Sequence, residues 1–579
     1  MPHSNNSGVS RRAFISRSVA TAAAITAGAT VSAASAATGR KWSKEADVLI
    51  VGSGAAAMAA AVGVVQAGSS VILLEKAAAA GGTTIKSDGA YWIPNNHLMR
   101  AKGMLDPKDD AMRYMASASY PLTYRAEQPL LGLQKNEYAL IEAFYDNAAP
   151  TIEALEAAGA IQSTMVELVD YYDHSPDNKA PRGRILLPKA ANGKYGNGRE
   201  LIRQFRAWLT AKQVPILFRH AVGDVVKNKE GEVIGLQANG PDGPVFIRAK
   251  RAVIFGSGGY TQNSEMMLNH QPGPIFGGCA VPTNQGDLIN IGIRAGTKLG
   301  NMVNAWRAQL VVEEALQVRS VSRDIWQPPG DSMILVNKYG TRVVDEKRNY
   351  HDRTRVHFVW DALESEYPNK LLFMIYDART AAIFAGNFPL PDVDVDSPYV
   401  ISGATLQDLS ASIQRRLDSH ANEIGPYPLS PDFARTLTTE IERFNEDAKT
   451  GKDSRFNRGK YPYDAEWQAI NSVPKAAPEW PKNTGPNPTI YPFQAKGPYF
   501  AIILGAGTLD TNGGPVINAK SQMLDTHGNP IPGLYGAGNC VASPAAAAYW
   551  GAGATIGPAM TFGAIAARYA VAEKVKEAG

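Results

Sequence analysis

Residues 46–57 read Ala-Asp-Val-Leu-Ile-Val-Gly-Ser-Gly-Ala-Ala-Ala, and residues 70–76 read Ser-Val-Ile-Leu-Leu-Glu-Lys. The order is an apolar strand, a glycine turn, a small-residue helix, a second strand and an acidic end. Few folds accept it, and the dinucleotide-binding βαβ unit is the one in which each of these residues has a reason. Gly52 allows the tight turn, Gly54 lets the backbone approach a pyrophosphate, and Ala57 permits close packing of helix on strand. Ser53, Ala55 and Ala56 lie at the helix start, whose free N–H groups suit phosphate oxygens. Glu75 ends the second strand, where a carboxylate accepts from ribose hydroxyls, and Lys76 follows it. The glycines alone do not separate FAD from NAD.

At 579 residues the chain is too long for one simple core and is expected to form two domains. Its net charge of +4 is spread without a basic run, so no nucleic-acid partner is expected. Ser10-Arg11-Arg12-Ala13-Phe14-Ile15 precedes an Ala/Thr/Val stretch ending near Ala34-Ser35-Ala36, the pattern of a Tat-type export leader. Residues 1–43 are therefore set aside from the fold. The protein is expected to be exported to the periplasm, or cytoplasmic if the leader is not used. The stretch is too short and weakly apolar for a membrane span, and no integral membrane segment is expected elsewhere. Cys279 and Cys540 make neither a disulfide framework nor a metal cluster, and His174, His220, His351 and His357 show no ligand spacing, so no metal is expected.

The next segment, Gly81-Gly82-Thr83-Thr84-Ile85-Lys86-Ser87-Asp88-Gly89-Ala90-Tyr91-Trp92-Ile93-Pro94-Asn95-Asn96, resembles the flavin-contacting stretch of the fumarate reductase and 3-ketosteroid dehydrogenase flavoproteins. Its Trp-Ile-Pro-Asn-Asn ending resembles the ketosteroid branch. The resemblance implies FAD, with Gly82, Thr83, Thr84, Ser87, Asp88, Gly89 and Ala90 against the cofactor. It further implies backbone at Val222 near the adenine and a turn at Ser257 and Gly258 near the cofactor. Gly286-Asp287 is similar to the family's Gly-Asp-Gly helix start, with Leu288 in place of the second glycine. Gly533–Asn539 resembles the late flavin motif, ending in Gly538 and Asn539, and leads to a closing helix over Ala554, Thr555 and Ile556. The resemblance covers nearly all of the chain after the leader. It implies an α/β protein: a Rossmann-like FAD-binding domain over 44–310 and 493–579, with an α+β substrate or cap domain inserted at 311–492.

Removing two hydrogens beside a ketone needs a base for the α-proton, an oxyanion site for the enolate and a hydride acceptor. In Arg342-Val343-Val344-Asp345-Glu346-Lys347-Arg348-Asn349-Tyr350, Tyr350 matches the offset of the ketosteroid dehydrogenase base, a position that carries an arginine in fumarate reductases. Tyr549 and Gly553 match the tyrosine and the glycine, four residues later, that hold the substrate carbonyl. Trp550-Gly551-Ala552 replaces the family's prolines, so Trp550 is expected to narrow the pocket. Asp170-Tyr171-Tyr172 is similar to the family's Asp-Tyr-Tyr, whose tyrosine supports the base; Tyr172 is the candidate, with the facing of the two rings left open. Tyr195, between glycines, is a further candidate for the pocket wall.

The resemblance implies FAD-dependent α,β-dehydrogenation of a cyclic ketone, either a 3-ketosteroid or a smaller ring such as cyclohexanone. With one dinucleotide fold, electrons would leave to an external acceptor, a quinone or a redox protein. The alternatives are a fumarate reductase-type flavoprotein and an exported flavin electron carrier without ketone turnover.

Overall fold

The computed structural model describes residues 41–577, so residues 1–40 of the expected leader lie outside them. The first six strands considered are β1 (Lys44–Val51), β2 (Val71–Glu75), β3 (Ile216–Phe218), β4 (Ala221–Lys227), β5 (Val233–Gly240) and β6 (Gly243–Phe255). Helix α1 (Ala55–Gln66) connects β1 to β2. β1 pairs in parallel with β2 on one side and β6 on the other, and β2 pairs in parallel with β3. All five residues of β2 are buried, as a parallel strand covered on both faces requires, which is why its sequence is almost purely apolar. β4, β5 and β6 form an antiparallel meander on the same sheet.

A second sheet holds β7 (Ala305–Val311), β8 (Met333–Val336), β9 (Leu371–Asp377), β10 (Ile401–Gly403) and β11 (Tyr499–Thr511). Its order is β7-β11-β9-β8, antiparallel throughout, with β10 also beside β11. The helices Leu406–Ser419 and Phe433–Thr450 bury Leu409, Ile413, Leu437 and Phe444 in one core with Phe373, Ile375 and Ile503 of this sheet. The chain rejoins the first sheet through β12 (Gln522–Leu524) and β13 (Pro530–Gly536), with β13 parallel to β6, and closes with helix α2 (Ile556–Ala572).

The return to the flavin-binding layer is later than the expected residue 493. Residues 499–511 run through the middle of the second sheet, and 305–311 form its edge, ahead of the expected boundary at 311. A run such as Phe500-Ala501-Ile502-Ile503-Leu504 carries the signal of a buried strand but none of the sheet it joins.

β1 and β6 end in register, Val51 opposite Phe255. The Gly256 N–H donates to the Val51 carbonyl at 2.8 Å, and the Gly52 N–H donates to the Leu74 carbonyl at 2.8 Å. Two glycine turns thus meet at the carboxyl ends of parallel strands, where open α/β sheets bind their ligands. Gly52 has φ +103°, and a Cβ there would lie 2.4 Å from the Gly256 carbonyl oxygen. Behind the turns, α2 crosses α1 closely: a Cβ on Gly563 would lie 2.4 Å from the Ala56 carbonyl oxygen. The small residues of α1 are therefore a packing requirement as well as an approach to phosphate.

Gly52→Ala combines a disfavoured φ with a backbone clash and is expected to cost about 3 kcal/mol. Thermal unfolding and the flavin-to-protein ratio of the purified variant check this. An unchanged midpoint with full flavin would contradict the packing described.

Candidate active site

A cavity of about 650 Å³ runs from the two glycine turns to the second sheet. Its wall at the βαβ end is built from hydrogen bonds between segments that the sequence keeps apart. Ser53 Oγ donates to Glu75 at 2.6 Å and accepts from the Gly81 N–H at 3.0 Å, so the turn, the acidic strand end and the next segment are tied at one hydroxyl. The Ala55 N–H donates to Thr84 Oγ1 at 3.2 Å, and Lys76 pairs with Asp287 at 2.6 Å. Asp510, at the end of β11, accepts from the side-chain amides of Asn284 and Asn539, each at 3.0 Å, and from the Gly259 N–H at 3.1 Å. Burial nevertheless pushes its pKa up to about 6.

The wall contains the candidates Gly52, Ser53, Gly54, Ala55 and Ala56 of the first turn, then Glu75 and Lys76. It contains Gly82, Thr83, Thr84, Ser87, Asp88, Gly89 and Ala90 of the next segment, and Val222, Ser257, Gly258 and Asp287. Gly538, Asn539, Thr555 and Ile556 complete it. Ala554 is the exception: it is fully buried behind the wall, its N–H turned to the Gly551 carbonyl at 3.0 Å. Among the described residues the Ser257 hydroxyl, buried in this wall near the Cys540 thiol, makes no well-formed hydrogen bond, so a bound group with acceptors would satisfy it. These residues fit FAD: a carboxylate for ribose, glycine turns and a helix start for pyrophosphate, and a long slot beyond.

At the far end three phenols pack edge to face. The ring centroids of Tyr171 and Tyr350 are 5.2 Å apart, those of Tyr171 and Tyr549 5.0 Å, and those of Tyr350 and Tyr549 5.6 Å. The hydroxyls of Tyr171 and Tyr350 are 2.5 Å apart. Burial first, then the neighbouring phenols, pushes the Tyr350 and Tyr171 pKa values well above the usual tyrosine range. Burial pushes Tyr549 up to about 12, with Tyr350 and Thr555 holding it from rising further. Gly553 has φ +89°, and a Cβ there would lie 2.4 Å from the Tyr91 nitrogen. Among the described residues no acceptor takes the Gly553 N–H.

Ionic anchors hold this end in place. Glu346 receives two hydrogen bonds from Arg342 at 2.7 Å and one from Arg458 at 3.1 Å. Arg348 bridges Asp464 at 2.9 Å and Asp173 at 3.0 Å, and so joins the Tyr350 segment to the Tyr171 segment. Arg184 pairs with Asp170 at 2.8 Å and with Asp106 at 2.7 Å, all with fully buried side chains.

Three expectations are corrected. Tyr171, not Tyr172, lines the cavity; the Tyr172 hydroxyl instead accepts from the Tyr549 backbone N–H at 3.2 Å, behind the wall. Tyr195 is 63% exposed on a surface turn, because its glycine neighbours and Lys194 leave it no apolar contact to bury against. Trp550 does not narrow the pocket. It is fully buried against Phe144 and Trp92, and its indole N–H donates to Ser119 at 2.9 Å. Sequence reasoning missed Trp306, Asp324, Trp326, Gln327, Phe388 and Trp467, which line the second-sheet half. They come from segments without a motif, and only Trp306, alternating on a strand edge, carried a signal that could have been read.

The family described as FAD binding domain matches residues 47–556. The 4-oxocyclohexanecarboxylate 2-dehydrogenase of Sinomonas cyclohexanicum is 30% identical over 90% of this chain and 92% of its own length. A 3-oxosteroid 1-dehydrogenase of Mycolicibacterium smegmatis is 29% identical over 90% of this chain and 97% of its own length. The solved 3-ketosteroid Δ1-dehydrogenase of Sterolibacterium denitrificans, in complex with 1,4-androstadiene-3,17-dione, aligns with a TM-score of 0.75 at 25% identity, covering 91% of this chain and all of that one.

Tyr171→Phe strands the Tyr350 hydroxyl in a buried site and is expected to cost about 1–3 kcal/mol. Tyr195→Ala, at the surface, is expected to stay within about 0.5 kcal/mol. Denaturant unfolding of the two variants compares them directly, and equal losses would contradict the placement of these rings.

Proposed function

This chain belongs to the FAD-binding domain family, and on that premise we propose that it desaturates a cyclic ketone, the α-proton passing to Tyr350 and the β-hydride to the flavin. Bound FAD supplies the hydride acceptor. The remaining chemistry belongs to this chain. The observation that carries the reading is the cluster of three buried phenols beside the Gly553 N–H.

In this reading the Tyr549 hydroxyl and the Gly553 N–H donate to the substrate carbonyl. Two donors aimed at one oxygen stabilise the developing enolate more than the ketone, which is the condition for lowering the barrier. Tyr350 takes the α-proton. Burial and the resting contact with the Tyr171 hydroxyl, 2.5 Å away, both oppose its phenolate; either hydroxyl can donate, and Tyr171 supports the base when it is the donor. The walls Trp326, Phe388 and Trp467 offer apolar faces to an alicyclic ring and exclude water from the enolate. Of the relatives named above, the one that shares most residues acts on a six-membered ring ketone, so such a ring is the first substrate class and a 3-ketosteroid the second.

Electrons would then leave to an external quinone or redox protein, since one dinucleotide βαβ unit serves the flavin. The twin-arginine segment supports export of the folded protein. A fumarate-type reaction is disfavoured by tyrosine at position 350. A dicarboxylate also needs paired cations where this wall presents phenols.

Three outcomes are expected. Tyr350→Phe slows exchange of α-deuterium from the bound ketone by about 10³-fold while the flavin spectrum is kept; retained exchange removes Tyr350 as the base. Tyr549→Phe lowers kcat/KM by about 10²-fold, and an unchanged value contradicts the oxyanion assignment. The third concerns pH. A base whose pKa lies above the assay pH gains its reactive form about tenfold per unit, so exchange by the wild type rises from pH 7 to 9. A flat profile would contradict the raised phenol.

A further inference from the structure

Asp324 lies in the segment joining β7 to β8, where Ser322, Arg323, Asp324, Trp326 and Gln327 form one side of the cavity. The residue is 7% exposed, and neither carboxylate oxygen has a hydrogen-bond partner among the described residues. Its charged and titratable surroundings come from three elements. Cys279 approaches with its thiol and its backbone N–H, though neither makes a well-formed hydrogen bond to Asp324, and the thiol donates to the Leu509 carbonyl at 3.9 Å. Lys86, from the helical turn Gly82–Lys86, contributes positive charge, but its ammonium is given to the Val321 carbonyl at 3.0 Å. Asp510 faces Cys279 from β11, and Arg323, the preceding residue, is exposed.

A buried carboxylate without donors is costly, so it must either hold its own proton or receive one from whatever fills the cavity. A simple cyclic ketone has no N–H or O–H to give. A dinucleotide with a flavin has several. Reduction also places negative charge on the isoalloxazine, and a like charge nearby favours the neutral acid.

We propose that Asp324 is a proton-coupling partner of the bound flavin, taking up one proton from solvent as the flavin takes up two electrons and releasing it on reoxidation. The balance is one proton bound by the reduced flavin itself and one by the Asp324 carboxylate for each electron pair, the pair coming from the substrate or an added reductant. Burial already pushes this carboxyl up to about 7, with Cys279 and Lys86 restraining the rise. Above that value the oxidised protein holds the carboxylate and the reduced protein holds the acid. The inference rests on the flavin site and is independent of the ketone assignment.

The test is a spectroelectrochemical titration of the FAD-loaded full chain between pH 7 and 8.5. Each proton bound per two electrons tilts the midpoint potential by about 30 mV per pH unit. The wild type is expected to show about 60 mV per unit, Asp324→Asn about 30, and Asp324→Glu a return towards the wild-type slope. Asp324→Ser, also neutral, reads the same quantity if the amide variant does not load flavin. A wild-type slope of about 30 mV overturns the proposal, as does a steep slope that persists in the neutral variants, and a purely structural role for Asp324 would leave every slope alike.

Discussion

The hydroxyls of Tyr171 and Tyr350 meet at 2.5 Å across 179 residues of chain, and the rest of the site is organised around keeping them there. Neither ring sits on a long element. Tyr350 opens the short helix Tyr350–Thr354, and Tyr171 lies in a loop. Position therefore comes from outside the rings, from Arg348 joining Asp464 to Asp173 and from Glu346 held by Arg342 and Arg458. Buried ion pairs of this kind contribute little net stability against apolar replacements, yet breaking one leaves a buried charge at a cost of about 3–5 kcal/mol. Their role here is geometric: they fix a loop and a helix start to a precision that phenol chemistry requires.

The same division of labour separates the two halves of the cavity. The cofactor half is made of backbone, where glycine turns and small residues at the carboxyl ends of parallel strands leave room for a pyrophosphate. The opposite half is made of large side chains, with Trp306 held to Asn539 at 2.9 Å and packed 5.0 Å from Tyr549. Asn539 also holds Asp510, so one amide links the indole, the carboxylate and the late flavin turn. Desolvation in this half raises every phenol and is the reason a base here needs neighbours that donate.

Legibility followed physics. The βαβ unit could be read because Gly52 answers a steric demand that no other residue meets: a Cβ there would lie 2.4 Å from the Gly256 carbonyl oxygen. The start of α2 near Ile556 and the helix from Asp287 were readable for the same reason, since turns and helix starts are local. The partner of the base was not. Whether Tyr171 or Tyr172 faces the cavity depends on a loop anchored by Arg348 and Arg184 from elsewhere in the chain. Trp550 was misread because its neighbours in the core, Phe144 and Trp92, are hundreds of residues away in sequence. The sheet that takes up 499–511 was hidden likewise, because an apolar strand does not name its partner.

The most direct measurement is anaerobic mixing of the purified flavoprotein with a panel of possible reductants while the flavin absorbance is followed. The panel is cyclohexanone, 4-oxocyclohexanecarboxylate, androstenedione, a 5α-saturated 3-ketosteroid and succinate. The account predicts bleaching by a ring ketone, fastest with the six-membered alicyclic compounds, and none by succinate. Bleaching by succinate alone would contradict it and move the protein to fumarate-type chemistry, and bleaching by none would leave the phenol cluster without the role assigned to it.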